Sequence, residues 1–258
     1  MSSEEMNWKG KYFDCDILLG LPRVPLAWVR PDLHDLLAEM KRLDISKALV
    51  RHRACIEVSP NMGNRMLMEE ISGSDSLMPV WMFSPEGTGR KPGLKEIIGK
   101  TFKEKNRAAW MRPVEGNFSL EPWCSGRIVK ILEEARIPLF LSFDDISGRE
   151  LHEILKGYPN LPVIVLRAPR MGRNEILYPL LRCHHNLYVA VTPFYSVYQG
   201  IEDLCKEFGS ERLVFGTGYP EVEGGVAVCM LNYADISNSD KDLIARGNLE
   251  RLLEEVKL

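Results

Sequence analysis

The sequence predicts a single (β/α)8 barrel, and three observations carry that prediction. Eight short apolar runs recur along the 258 residues, each the length of a strand and rich in Val, Leu, Ile and Phe. Amphipathic segments of helical period separate them. No G-x-G-x-x-G follows the first run, which argues against an open dinucleotide-binding sheet, the main competing architecture. Runs that are apolar on both faces suit parallel strands covered by helices.

The runs are Tyr12–Asp16, Lys47–Arg51, Leu77–Phe83, Ala108–Arg112, Pro138–Phe143, Pro162–Arg167, Leu187–Thr192 and Arg212–Gly216. Pro31 opens the first helical segment, whose Leu33, Leu36, Leu37, Met40 and Leu43 fall on one stripe. Ser125 precedes a segment carrying Ile128, Ile131, Leu132 and Ala135. Ser147 and Glu150 have the spacing of a capping box, ahead of Leu151, Ile154 and Leu155. Ile201, Leu204, Cys205 and Phe208 make a further stripe, and Asp240 leads into Leu243, Ile244, Leu249, Leu252 and Leu253. Asn186 and Tyr188, at the start of the seventh run, read as structural. Nothing like a linker or repeat interrupts the pattern, so residues 1–258 read as one domain.

Hydrophobic residues make up 45% and charged residues 27% of the chain, the balance of a globular protein with a substantial core. A net charge of −3 gives no electrostatic case for nucleic acid or an anionic membrane as partner. No stretch approaches the roughly 18 apolar residues of a membrane span. The acidic start lacks the flank and apolar stretch of a signal peptide. Six scattered cysteines without a C-x-x-C pair read as free thiols in a reducing compartment. The expectation is a soluble, cytoplasmic protein.

In a barrel of this kind the site forms where the strands end, because the βα loops converge there. Leu213-Val214-Phe215-Gly216-Thr217-Gly218-Tyr219-Pro220 resembles the last-strand motif (L/V)-x-F-G-S-D-Y-P of the amidohydrolase-related, metal-dependent TIM-barrel hydrolases. The tail from Ile236-Ser237 through Asp240-Lys241 to Gly247-Asn248-Leu249-Glu250-Arg251-Leu252-Leu253 is similar to that family's closing helix. Phe13-Asp14-Cys15-Asp16-Ile17-Leu18-Leu19-Gly20 resembles its first strand, x-D-x-H-x-H-x-G. The resemblance implies a divalent metal held by His-x-His on the first strand, histidines on the fifth and sixth, and an aspartate on the eighth. At those positions this sequence has Asp16, Leu18, Ser142, Arg167 and Gly218. Arg167 adds a fixed cation that repels a metal. The expectation is therefore a degenerate member of the group, without the family's metal and without another cofactor.

Arginines crowd the strand ends instead: Arg51 and Arg53 after the second run, Arg112 at the fourth, Arg167 at the sixth and Arg170 beyond it. One reading is a pocket for a small anionic or polar molecule, since guanidinium groups clamp carboxylates and phosphates bidentately. The other is a buried network with Asp16, Asp144, Asp145, Glu221 or Glu223. Arg112 and Arg167 stand out as anchors, with Arg51, His52, Arg170 and Tyr219 around them. The candidates for chemistry are Asp16, Asp144 and Ser142: a carboxyl as general acid or base when its neighbours are apolar, a serine only with a histidine in reach. Gly224-Gly225 reads either as a phosphate-binding helix start or as an ordinary turn.

Three functions fit. The leading one is a binding protein for a small anionic or polar ligand at the barrel mouth. The second is a metal-independent hydrolase, lactonase, lyase or isomerase acting on a carboxylated small molecule. The third is a scaffold barrel, marked by Trp28, Trp110 or Trp123 at an interface. A homo-oligomer is compatible with each.

Overall fold

The computed structural model describes residues 11–22, 32–85, 107–168 and 175–257. Eight parallel strands form one sheet in the order of the sequence, alternating with helices, and the sheet curls into a nearly closed barrel. The strands are β1 (Tyr12–Leu19), β2 (Ile45–His52), β3 (Leu77–Met82), β4 (Ala108–Trp110), β5 (Leu139–Ser142), β6 (Val163–Leu166), β7 (Leu187–Val191) and β8 (Leu213–Phe215). All eight predicted runs are strands. The boundaries differ most at β1, which continues to Leu19 because Ile17 and Leu19 are as deeply buried as the residues before them.

Side chains alternate between two cores. Phe13, Cys15, Leu49, Trp110, Phe140, Ile164 and Val214 fill the barrel interior. Tyr12, Val50, Ala109, Leu139, Leu141, Val165 and Phe215 face outward onto the helices. Trp110 is fully buried inside the barrel, so it is not an interface residue; Trp123 is 77% exposed, and Trp28 lies outside the described residues. An irregularity in the β1–β2 register between Asp14 and Ile17 shifts the alternation just where the strand reaches the mouth.

The helices among the described residues are α1 (Leu33–Arg42), α2 (Ala54–Glu57), α3 (Pro60–Glu70), α4 (Pro113–Gly116), α5 (Pro122–Glu134), α6 (Gly148–Gly157), α7 (Leu177–Cys183), α8 (Gly200–Phe208), α9 (Gly225–Asn232), α10 (Asn238–Asp242) and α11 (Asn248–Glu254). Their starts follow local chemistry. The Asp32 side chain accepts the Asp35 amide at 2.8 Å and caps α1, a role assigned from sequence to Pro31, which lies outside the described residues. Ser147 and Glu150 make the expected capping box on α6. Helix α5 begins at Pro122, so Ser125 lies within it, buried, its hydroxyl donating to the Ser119 carbonyl at 2.6 Å.

Two asparagines hold the barrel floor. Asn186 donates to the carbonyls of Leu155, Tyr158 and Leu161. Asn248, in the closing helix, donates to Ser210 and Leu213, each at 2.8 Å, and pins α11 beneath β8. No described helix is long and apolar enough to cross a membrane.

Candidate functional site

A cavity of about 380 Å³ opens at the C-terminal ends of the strands. Four arginines line it, Arg51, Arg53, Arg112 and Arg167, together with six carboxyl groups: Asp16, Glu57, Glu115, Asp144, Asp145 and Glu221. The structure thus brings together Asp16, Asp144, Arg51, Arg112, Arg167 and Tyr219 of the residues singled out from sequence. Arg170 lies outside the described residues.

Strand alternation explains which arginines arrive. Trp110 points into the barrel, so Arg112, two residues on, points the same way. Arg51 follows Leu49 on the inner face of β2 by the same rule, and its guanidinium lies 5.0 Å from the centroid of the Trp110 ring. Arg112 shares that ring at 5.8 Å. Arg167 would face outward by alternation, but its backbone is left-handed, with φ of +54°, and this breaks the strand pattern. Its guanidinium stacks on Phe194, 4.1 Å from the ring centroid.

Every cavity arginine has a carboxylate partner. Arg51 pairs with Asp16, and both side chains are more than nine-tenths buried. Arg53 reaches Glu221 at 3.1 Å. Arg167 pairs with Glu221 and, more loosely, with Asp144 at 3.4 Å. Arg112 is shared by Asp145 and Glu115, through contacts of 3.1 Å to Asp145 Oδ1 and 3.2 Å to Glu115 Oε2. Burial and the neighbouring Glu115 push the Asp145 carboxyl up to about 7. Burial opposes ionisation of Glu115 too, but the Asp145 hydrogen bond and Arg112 prevail and hold it below the ordinary glutamate value.

Two predicted site residues have other work. His52 falls on the outer face of β2, where its Nδ1 accepts the Ala54 amide at 3.1 Å and its Nε2 lies 3.3 Å from Glu70 of α3. It does not line the cavity, and burial lowers its pKa. The Ser142 hydroxyl is buried and accepts the Asp144 amide at 3.3 Å, closing the turn after β5. No histidine lines the cavity among the described residues, so Ser142 has no base beside it. His184 instead meets His152 on the barrel's flank, 2.9 Å apart.

Gly218 and Gly224 show what glycine is for here. Gly218 has φ of +73°, and a Cβ there would lie 2.9 Å from the Phe194 ring. The ring fills the space that a side chain at position 218 would take. At Gly224 a Cβ would lie 2.7 Å from Leu43, just past the end of α1, and the Glu223 carboxylate stands 2.8 Å from where a Cβ of Gly225 would be. Close packing and a resident carboxylate make this helix start an ordinary turn, unsuited to phosphate.

Sequence reasoning missed Glu115, Glu57 and Phe194. Glu115 had a signal, three residues after Arg112 on one helical turn. Phe194 had none, since its position depends on the loop after β7. Thr192 and Tyr195 are buried and do not line the cavity.

Fold and site together define a TIM-barrel protein with a charge-lined cavity at the strand ends. No protein-family model matches the sequence, and no curated protein matches it. Solved structures match in fold. A 2,6-dihydroxybenzoate decarboxylase from Rhizobium superposes with a TM-score of 0.71 at 15% identity, over 95% of this chain and 99% of the other. A dihydroxybenzoic acid decarboxylase from Polaromonas, with bound manganese and the inhibitor 2-nitroresorcinol, gives 0.70 at 13%, over 95% and 97%. A probable 2-pyrone-4,6-dicarboxylic acid hydrolase from Acinetobacter baumannii, with citric acid bound, gives 0.72 at 12%, over 95% and 100%. The shared fold is the one implied by the last-strand and closing-helix motifs.

Proposed function

We propose that the barrel mouth binds a small carboxylated molecule, anchored by Arg112 and Arg167, and does so without a divalent metal. The observation that carries this reading is the convergence of four arginines on one cavity at the strand ends. The fold neighbours support it in kind, being decarboxylases and hydrolases named for carboxylated compounds, one of them holding citric acid.

The paired state of the arginines is compatible with binding, because the pairs differ in burial. Arg51 and Asp16 are sealed from water and form part of the wall. The Arg167 side chain is 30% exposed, and its partners Asp144 and Glu221 are 59% and 33% exposed. Exposed pairs contribute only about 0–1 kcal/mol, so an incoming carboxylate displaces them at little cost. Arg112, less exposed, offers its planar fork once its pairs with Glu115 and Asp145 give way to the ligand.

The donor chemistry supports the metal-free part. Of the five positions that hold metal in the resembled family, Asp16 is bound to Arg51 and Ser142 is bound into a turn. Leu18 has no donor, Arg167 is a cation, and Phe194 covers Gly218. These residues do not fit a zinc or manganese ion, which needs several N or O donors converging on an open position. Elemental analysis of the purified protein, followed by a thermal-shift screen of citrate and hydroxybenzoates, tests both parts. Less than stoichiometric metal and a Tm raised by carboxylates agree with the reading; tightly held stoichiometric zinc or manganese overturns it.

A further inference from the structure

The charge count of the mouth poses a problem for an anion. Six carboxyl groups face four arginines, so a bare carboxylate enters a cavity that already carries excess negative charge. The solution lies on the wall formed by Arg112, Glu115 and Asp145. There two carboxyl groups from different segments, one on α4 and one in the loop after β5, hold a single guanidinium between them. When a ligand carboxylate takes the Arg112 fork, Asp145 and Glu115 are left face to face without their cation. Two carboxylates in contact do not both stay ionised.

We propose that the mouth takes up a carboxylate together with one proton: the ligand's carboxylate occupies Arg112, and the proton, drawn from solvent, is held between Asp145 and Glu115. This rests on the reading of the mouth as a carboxylate site. The other carboxyl groups on the surrounding elements are held by a cation or a backbone cap, or lie in water, and do not compete for the proton. Asp16 of β1 stays with Arg51 of β2, Glu221 keeps Arg53 when a ligand takes Arg167, Asp144 and Glu57 of α2 are exposed to water, and Glu150 of α6 is held in the Ser147 cap. Asp145 Oδ2 contacts Arg112 and accepts no other bond among the described residues, so it is released to carry the proton when Arg112 turns to the ligand. The ligand and proton together add no net charge to the cavity.

Titration calorimetry with 2,6-dihydroxybenzoate, whose carboxyl stays ionised throughout, tests the linkage. The binding heat is measured at pH 8 in HEPES and in Tris, buffers of different ionisation enthalpy that bring neither a carboxylate nor a phosphate to the site. The expected result is an uptake of about one proton per ligand, falling to about half near pH 7 and vanishing below about pH 6. Asp145→Asn, which keeps the shape but holds no proton, binds the probe with buffer-independent heat, and Glu115→Gln does the same. Wild-type binding with equal heats in both buffers overturns the proposal, as does unchanged uptake in both variants. No binding by the wild type in either buffer defeats the carboxylate site itself, and binding without proton uptake defeats this inference alone.

Discussion

The Asp14 carboxylate accepts both the backbone amide of Thr217, at 3.0 Å, and its hydroxyl, and so joins the first strand to the end of the last. It also accepts the Asp16 amide at 2.9 Å, and Leu18 donates to the Tyr219 carbonyl at the same distance. These bonds close the barrel at the β1–β8 seam and set Asp16 at the mouth. Burial raises the Asp14 pKa to about 6, although the Thr217 and Asp16 hydrogen bonds oppose the shift.

A pH dependence follows from that carboxyl. Its folded-state pKa lies above the unfolded value of about 3.9, so the folded protein holds the extra proton between the two. Stability from this group is therefore present below about pH 4, declines as pH rises to about 6, and is constant thereafter. The decline is of the order of 3 kcal/mol. Asp14→Asn removes it, and urea unfolding at pH 4.5 and pH 7 measures the difference. The gap between the two proteins moves in favour of the variant as pH rises. Thr217→Val, which strips one bond from a buried carboxylate, costs about 1–3 kcal/mol at pH 7.

The Asp16–Arg51 pair tests a different point, whether the inner wall is structural. Removing one partner strands the other charge in a buried place, and Arg51→Met alone costs about 3–5 kcal/mol. The double variant Asp16→Leu with Arg51→Met recovers most of that loss. A denaturant-based double-mutant cycle reads the coupling; additive losses would show that Asp16 and Arg51 act independently.

At Gly218 the same question is steric. Gly218→Ala meets both an unfavourable φ and the Phe194 ring, and is expected to cost about 1–3 kcal/mol. Gly218→Ala with Phe194→Ala is less destabilised than the sum of the two single variants, since the clash is gone and only the backbone strain remains. Equal costs in the presence and absence of the ring would show that Phe194 does not occupy that space.

Much of this architecture is legible in the sequence, because the eight apolar runs and the capping box at Ser147 are local signals. The strand ends are less so. Period-two alternation does place Arg51 and Arg112 inside and His52 outside, and applying it to β2 would have removed His52 from the site. It fails at Arg167, where the left-handed backbone redirects the residue, and at Asp16, beside the β1 irregularity. Nothing local decides that Asp145 rather than Asp144 is the buried carboxyl that meets Arg112. That choice is made by the turn in which Ser142 accepts the Asp144 amide and the Asp145 amide bonds the Ser142 carbonyl.

The anchor role of Arg112 and Arg167 stands or falls on the affinity of citrate for the wild type, for Arg112→Met with Arg167→Met, and for Arg182→Met as a control on α7, away from the mouth. Loss of a charged hydrogen-bonding partner is worth about 1.5–3 kcal/mol at each anchor. The double variant is therefore expected to bind at least about 100-fold more weakly, and the Arg182 control to match the wild type. Citrate binding of equal strength in the wild type and the double variant would contradict a carboxylate site at the mouth.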